Sequence, residues 1–129
     1  MSYQNSHAPR LRNYRDLHAW QRAMDLVVSC HGVARRLPAE ERFALAQQLR
    51  RSAVSVPANI AEGYGRLHRA EYIHYLSIAQ GSLKETETHL LIGHRLSYLN
   101  DEDLSPPRML CEEVGRLLTR LIRSLRSEG

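Results

Sequence analysis

Lysine is almost missing from this chain: of 18 basic residues only Lys84 is a lysine, and the rest are arginines. Aromatic residues are scarce too, at 6% with a single Phe and a single Trp, so a core must be built mainly from Leu, Val, Ile and Ala. Five prolines and seven glycines sit mostly at segment boundaries, which disfavours a strand-and-turn protein and favours long helices. Cysteine is limited to Cys30 and Cys111. Without a CxxC pair they exclude zinc-ribbon and thioredoxin readings, and each lies in an apolar helical pattern as expected of a buried free thiol in a reducing cytosol. No run approaches the ~20 apolar residues that span a bilayer. The first seven residues, Met1 to His7, lack the apolar centre of a secretory signal. The expectation is a cytoplasmic protein with no membrane partner.

What is present suits one globular domain. The 129 residues are 43% hydrophobic and 25% charged, enough to bury roughly two-thirds of the unfolded surface. A net charge of +4 and a pI near 9.4 favour anionic partners without demanding one. Arginine is the better bidentate reader of phosphate. The same bias also fits a skewed nucleotide composition of the gene, and composition alone does not separate the two.

Residues 1–13 are polar and aperiodic, with Pro9, Arg10 and Arg12, and read as a flexible N-terminal arm; residues 14–127 form the domain. From Asp16, read as an N-cap, Leu17, Trp20, Met24, Val27, Val28, His31 and Ala34 recur at helical steps, and the helix is expected to end near Leu37. Gly32 within it would permit close approach by a neighbour. Pro38 suits the first turn of a second helix, with Glu40 and Glu41 favourable beside its N-terminal dipole. A third helix is expected from His68 to Leu99. His68 and Glu71 hold capping-box positions, with histidine where a hydroxyl residue is usual. Its apolar stripe is Tyr72, Leu76, Ala79, Leu83, Thr86, Leu90 and Gly93, and a second stripe holds Ile73, Gln80, Leu91 and Ile92. Ser105, Pro106 and Pro107 read as the start of a fourth helix, which carries Leu110, Val114, Leu117, Leu118, Leu121 and Leu125 on one face. Four helices with short connections form an all-α, antiparallel up-down-up-down four-helix bundle.

The second helix is the most distinctive. Leu45, Leu49, Ala53, Val56 and Ile60 keep one apolar face straight through Pro57. Proline removes an amide donor and its ring crowds the carbonyl of Ala53, a cost of about 3 kcal/mol in an ordinary helix interior. The expectation is a helix bent near Pro57, with Ser52, Ser55 or Asn59 bonding freed carbonyls and Glu62 polar beside the bend. Gly63 and Gly65 would take the positive φ that ends it.

Catalytic chemistry finds no constellation here. Glu71 and His74 have the spacing of a di-iron ligand pair, but no second Glu-x-x-His occurs, and His89 and His94 stand at the wrong spacing. Ser82 lacks a strand-to-helix elbow. Gly63-Tyr64-Gly65-Arg66 lacks the strand and the Lys-Ser/Thr of a phosphate-binding loop. No metal, cofactor or catalytic residue is expected, and the protein is read as a non-enzyme. Gly81 and Ser82 are read as small residues for close packing.

The stretch Arg50 to Arg66, Arg-Arg-Ser-Ala-Val-Ser-Val-Pro-Ala-Asn-Ile-Ala-Glu-Gly-Tyr-Gly-Arg, resembles the signature of a small bacterial four-helix bundle family. That family is named after proteins encoded in intervening sequences of large-subunit ribosomal RNA genes. Tyr14 to Gln21, Leu37 to Phe43 and Ala79 to Glu85 resemble it in the same order, so the likeness spans roughly residues 14–99. It implies a homopentameric ring. It also implies kinship with the accessory protein of diversity-generating retroelements, which associates with a reverse transcriptase and nucleic acid through a basic surface.

The residues' own binding signal is arginine. Arg116, Arg120, Arg123 and Arg126 form one stripe on the last helix, Arg50 and Arg51 a second group, and Arg10, Arg12 and Arg15 a third. Only Glu112, Glu113 and Glu128 oppose them between residues 108 and 129. Repeated around an oligomer, such a stripe becomes a large positive field. The expected function is a non-catalytic homo-oligomer binding RNA or DNA through arginine-rich surfaces, beside a reverse transcriptase or ribosomal RNA. The alternative is a protein–protein interaction scaffold whose arginines only solubilise.

Overall fold

The computed structural model describes residues 12–128. Four helices fill it: α1 (His18–Ala34), α2 (Leu45–Tyr64), α3 (Arg69–Arg95) and α4 (Asp101–Ser127). Single 3-10 turns precede α1 at Tyr14–Asp16 and α2 at Ala39–Glu41. Each helix packs on its neighbours in the chain and α1 closes against α4, while the diagonal pairs do not meet. Cross-links fix the directions. Ser55 meets Ser82 and Ser52 meets Thr86, so α2 and α3 run opposite ways; Arg22–Glu113 and Arg36–Asp103 do the same for α1 and α4. Gln80–Thr119 and Glu87–Arg108 set α3 against α4. The result is an antiparallel four-helix bundle. No helix among the described residues is long and apolar enough to cross a membrane.

The core follows the expected stripe on α2 and the first of the two on α3, whose members are buried; of the second, Ile73 and Gln80 are half-buried and Leu91 and Ile92 exposed. Each fully buried leucine, such as Leu49, Leu76, Leu90 or Leu118, contributes about 1.5–3 kcal/mol. Helix α1 is turned from its expected phase. Ala19, Ala23, Leu26, Cys30 and Val33 face inward, while Met24 is exposed and Val28 is 72% exposed. Two neighbours press on α1 at once, and its small residues let them come close, so size overrides the apolar count. Gly32 receives no such neighbour: a Cβ there would meet nothing within 4 Å.

Several ends differ from expectation. Asn13, not Asp16, caps the first turn: its side chain accepts from Arg15 N at 2.8 Å, and the Asp16 carboxylate accepts from the backbone N–H of Arg12 and Asn13. The arm before residue 12, Arg10 included, lies outside the described residues. Pro38 leads only into the Ala39–Glu41 turn, and α2 starts at Leu45, whose N–H donates to the Glu41 carboxylate at 3.3 Å. Helix α3 stops at Arg95 because Ser97 is left-handed, with φ 64°. Tyr98 and Leu99 then fold their N–H groups back onto the Gly93 carbonyl. Helix α4 begins at Asp101, where Asn100 and Asp103 form a reciprocal capping box, so Pro106 and Pro107 sit inside the helix instead of opening it. His68 does stand before α3, but its side chain makes no capping bond.

The two glycines closing α2 do not adopt positive φ. Gly65 ends the helix at φ −80°, and no described glycine is left-handed. Gly63 is needed for space: a Cβ would lie 2.8 Å from Tyr75 Cβ and 3.1 Å from the Tyr72 carbonyl. Pro57 is buried within an unbroken α2. Asn59 Nδ2 donates to the Ser55 carbonyl at 2.8 Å and Ser52 Oγ to that of Leu49 at 3.2 Å.

Candidate nucleic-acid interface

One turn of α-helix advances 5.4 Å, so Arg116, Arg120 and Arg123 spread over about 10 Å of α4. They line an open groove between α3 and α4 of about 790 Å³. Lys84 stands on its α3 side, Glu112 is its single carboxylate, and Gly81, Leu83, Cys111 and Gly115 form the floor. The groove is there because both helices lack a side chain where they would otherwise fill it. A Cβ at Gly81 would meet nothing within 4 Å. Gly81 is therefore not the close-packing residue expected; only Ser82 is, buried with its Oγ 2.8 Å from Ser55 Oγ.

The nearby acids are engaged elsewhere. Arg22 Nε and Nη2 donate to the two oxygens of Glu113, each at 3.0 Å, joining α1 to α4 as a fork. Those hydrogen bonds hold the Glu113 carboxyl below its ordinary pKa, with the charges of Arg22 and Arg116 acting the same way. Glu87 is taken by Arg108 at 3.4 Å and lies 3.9 Å from Lys84. Among the described residues, no carboxylate lies within ion-pair distance of Arg116, Arg120, Arg123 or Arg126. Arg126 continues the stripe beyond the groove and is exposed.

The other expected site residues lie apart. Arg50 and Arg51, with His31, Val54 and Ser55, border a shallow depression on the outer side of α2. Helices α2 and α4 occupy diagonal corners, so the two arginine groups point away from each other and do not merge within one chain. Arg15 bonds Asn13 at the start of the bundle. The group around Pro57 is structural. Asn59 serves Ser55, Glu62 pairs with Arg66 at 2.6 Å, and Gly63 admits the α3 tyrosines. Glu71 and His74 are exposed, and among the described residues no three His, Cys, Asp or Glu side chains converge on a common point.

A match to the 23S rRNA-intervening sequence protein family covers residues 15–120. The chain belongs to that family. Its fold is similar to the crystal structure of a protein of unknown function from the S23 ribosomal protein family of Bacteroides thetaiotaomicron VPI-5482. That likeness has a TM-score of 0.75 and 28% identity, covering 81% of this chain and 97% of the other. No curated protein matches the chain. The match to the intervening-sequence family takes in Arg116 and Arg120 and stops before Arg123 and Arg126, so the far half of the stripe lies outside it.

Reading the sequence alone misses Lys84, Gly81 and Gly115 as one site. The signal available was two glycines inside long helical patterns, each unfavourable there. It also misses that Cys111 lies close enough to Cys30 to raise its thiol pKa. Both thiols are free and pushed up to about 12, chiefly by burial, and the charge of Cys111 adds to the shift of Cys30.

Proposed function

We propose that this member of the intervening-sequence family is a non-catalytic homo-oligomer that binds the phosphate backbone of RNA or DNA along the α3/α4 groove. It would act as an accessory factor beside a reverse transcriptase or ribosomal RNA, whose own contacts would supply the sequence choice. The observation carrying this is the groove rim: Lys84, Arg116, Arg120 and Arg123 line a groove with one carboxylate in its lining, and among the described residues none of the three arginines forms an ion pair. A row of guanidinium groups without ion pairs is a poor structural device but a good receptor for phosphates.

The homo-oligomeric part is supported by the outer surface of α3, and a ring of five is what the family resemblance implies. The second apolar stripe divides along its length. Ile73 and Gln80 turn toward the bundle, whereas Leu91 and Ile92 stay 36% and 41% exposed. Adjacent apolar side chains left in water near the end of α3 fit a contact between copies.

Binding to generic RNA across a salt series tests the reading. Four phosphate contacts on a single strand predict a slope of about −3 in log affinity against log salt. Replacing Arg116, Arg120 and Arg123 with Gln together should flatten that slope to about −1 and leave helicity unchanged. Undiminished binding by the triple variant would move the site elsewhere. Sedimentation at micromolar concentration tests assembly, and a monomer there would remove the oligomer.

A further inference from the structure

The groove has a rim and a floor, and backbone binding uses only the rim. The floor is apolar: Leu83 and Cys111 are buried beneath it, and Gly81 and Gly115 open it. Glycine is the poorest helix former after proline, yet packing demands neither one. A Cβ at Gly115 would make an ordinary 3.5 Å contact with Leu83, and one at Gly81 would make none. Of the uncharged polar side chains in the groove, Gln80 donates to Thr119 at 3.3 Å, which ties both to the groove wall. We infer that the groove takes a single strand of nucleic acid, with unpaired bases laid on the glycine-widened floor, phosphates on the arginine rim, and no reading of sequence. This rests on the nucleic-acid reading above and narrows it.

Charge and shape together select the strand. A duplex keeps its bases stacked inside and offers phosphates alone, which would leave the apolar floor unused. Sequence-tolerant single-strand sites ordinarily combine a cationic track with flat apolar surfaces for the bases. Here the backbone at Gly81 and Gly115 provides the accessible part of that surface in place of aromatic rings, with Leu83 and Cys111 buried under it.

The test compares the full chain's affinity for a short mixed-sequence single strand, the same strand annealed to its complement, and an acidic peptide of equal charge. The single strand should bind about tenfold more tightly than the duplex, the difference expected from seating about one base. Gly81→Leu fills the floor without altering charge, and its side chain enters open space, so the fold should survive. It should erase the tenfold preference while leaving duplex affinity in place. Equal affinity for duplex, or a preference that persists in Gly81→Leu, would overturn the single-strand inference and leave backbone binding standing. Equal affinity for the acidic peptide would replace it with a protein partner. Failure of every nucleic acid to bind at low salt would sink the nucleic-acid reading as well.

Discussion

Helix α3 has two neighbours and treats them in opposite ways. Toward α2 it is closed: Ser55 reaches Ser82, Thr86 lies 2.9 Å from Ser52 Oγ and 2.8 Å from the Ser82 carbonyl, and Gly63 lets the Tyr72 and Tyr75 backbone come close. Toward α4 it is open, and the small residues there, Gly81 and Gly115, border empty space. The same residue types thus serve contact on one side and vacancy on the other. Composition does not decide between those uses; the register of the facing helix does.

The largest expected effect separates the two glycine roles directly. Gly63→Ala places a methyl group 2.8 Å from Tyr75 Cβ and 3.1 Å from a backbone oxygen that cannot yield. It should cost about 1–3 kcal/mol and lower the thermal midpoint by about 3–10 °C. Gly81→Ala should do the reverse, stabilising by up to about 1 kcal/mol through helix propensity. Thermal melts of both variants measure this. Shifts of the same sign would erase the distinction between the closed side and the open one.

The hydroxyl ladder sharpens the closed side further. Thr86 is fully buried, and Thr86→Val keeps its shape while removing the donor to Ser52 Oγ and to the Ser82 carbonyl; Ser52 keeps its bond to the Leu49 carbonyl. The expected loss is about 1–2 kcal/mol in denaturant unfolding. Adding Ser52→Ala removes the other hydroxyl of the pair, so the double variant should lose less than the two single losses summed. Strict additivity of the two single changes would mean that the hydroxyls are not coupled across the seam.

Much of the bundle was legible because α2 and α3 are periodic in the plainest sense. Leu45, Leu49, Ala53, Val56 and Ile60, and the run from Tyr72 to Gly93, are buried as their spacing requires. Where alanine, cysteine and larger apolar residues compete, as on α1, spacing admits two phases and only the neighbours choose one. The caps went astray for a related reason. Asp16 and Ser105 are good capping types, but Asn13 and Asn100 complete reciprocal boxes and win. The arginine stripe was also legible, being helical spacing once more. Its distance from Arg50 and Arg51 was not, because it depends on which corners of the square α2 and α4 occupy. The groove was hidden for the deepest reason: it is made of side chains that are not there, on two helices whose relative register the sequence does not display.

The smallest effect concerns the thiols at the edge of this open side. Burial raises both cysteines from an ordinary 9.0 to about 12, so the folded state holds its protons where the unfolded state releases them. Their contribution is therefore fully present below about pH 9 and declines as pH rises toward 12. Tyr98, raised by its bond to Glu41, acts in the same direction, so the thiol share must be taken as a difference. Wild type should lose more stability between pH 8 and pH 10 than the Cys30→Ala, Cys111→Ala double variant, measured by urea unfolding. Access then distinguishes the two sites. Cys111 borders the groove and keeps 4% of its surface, whereas Cys30 keeps none, so an alkylating reagent should reach Cys111 first. A bound single strand should slow that reaction and leave Cys30 as it was. Equal rates at both thiols would mean that α4 opens as a unit with α1, and the groove would then be a fluctuating surface instead of a standing channel.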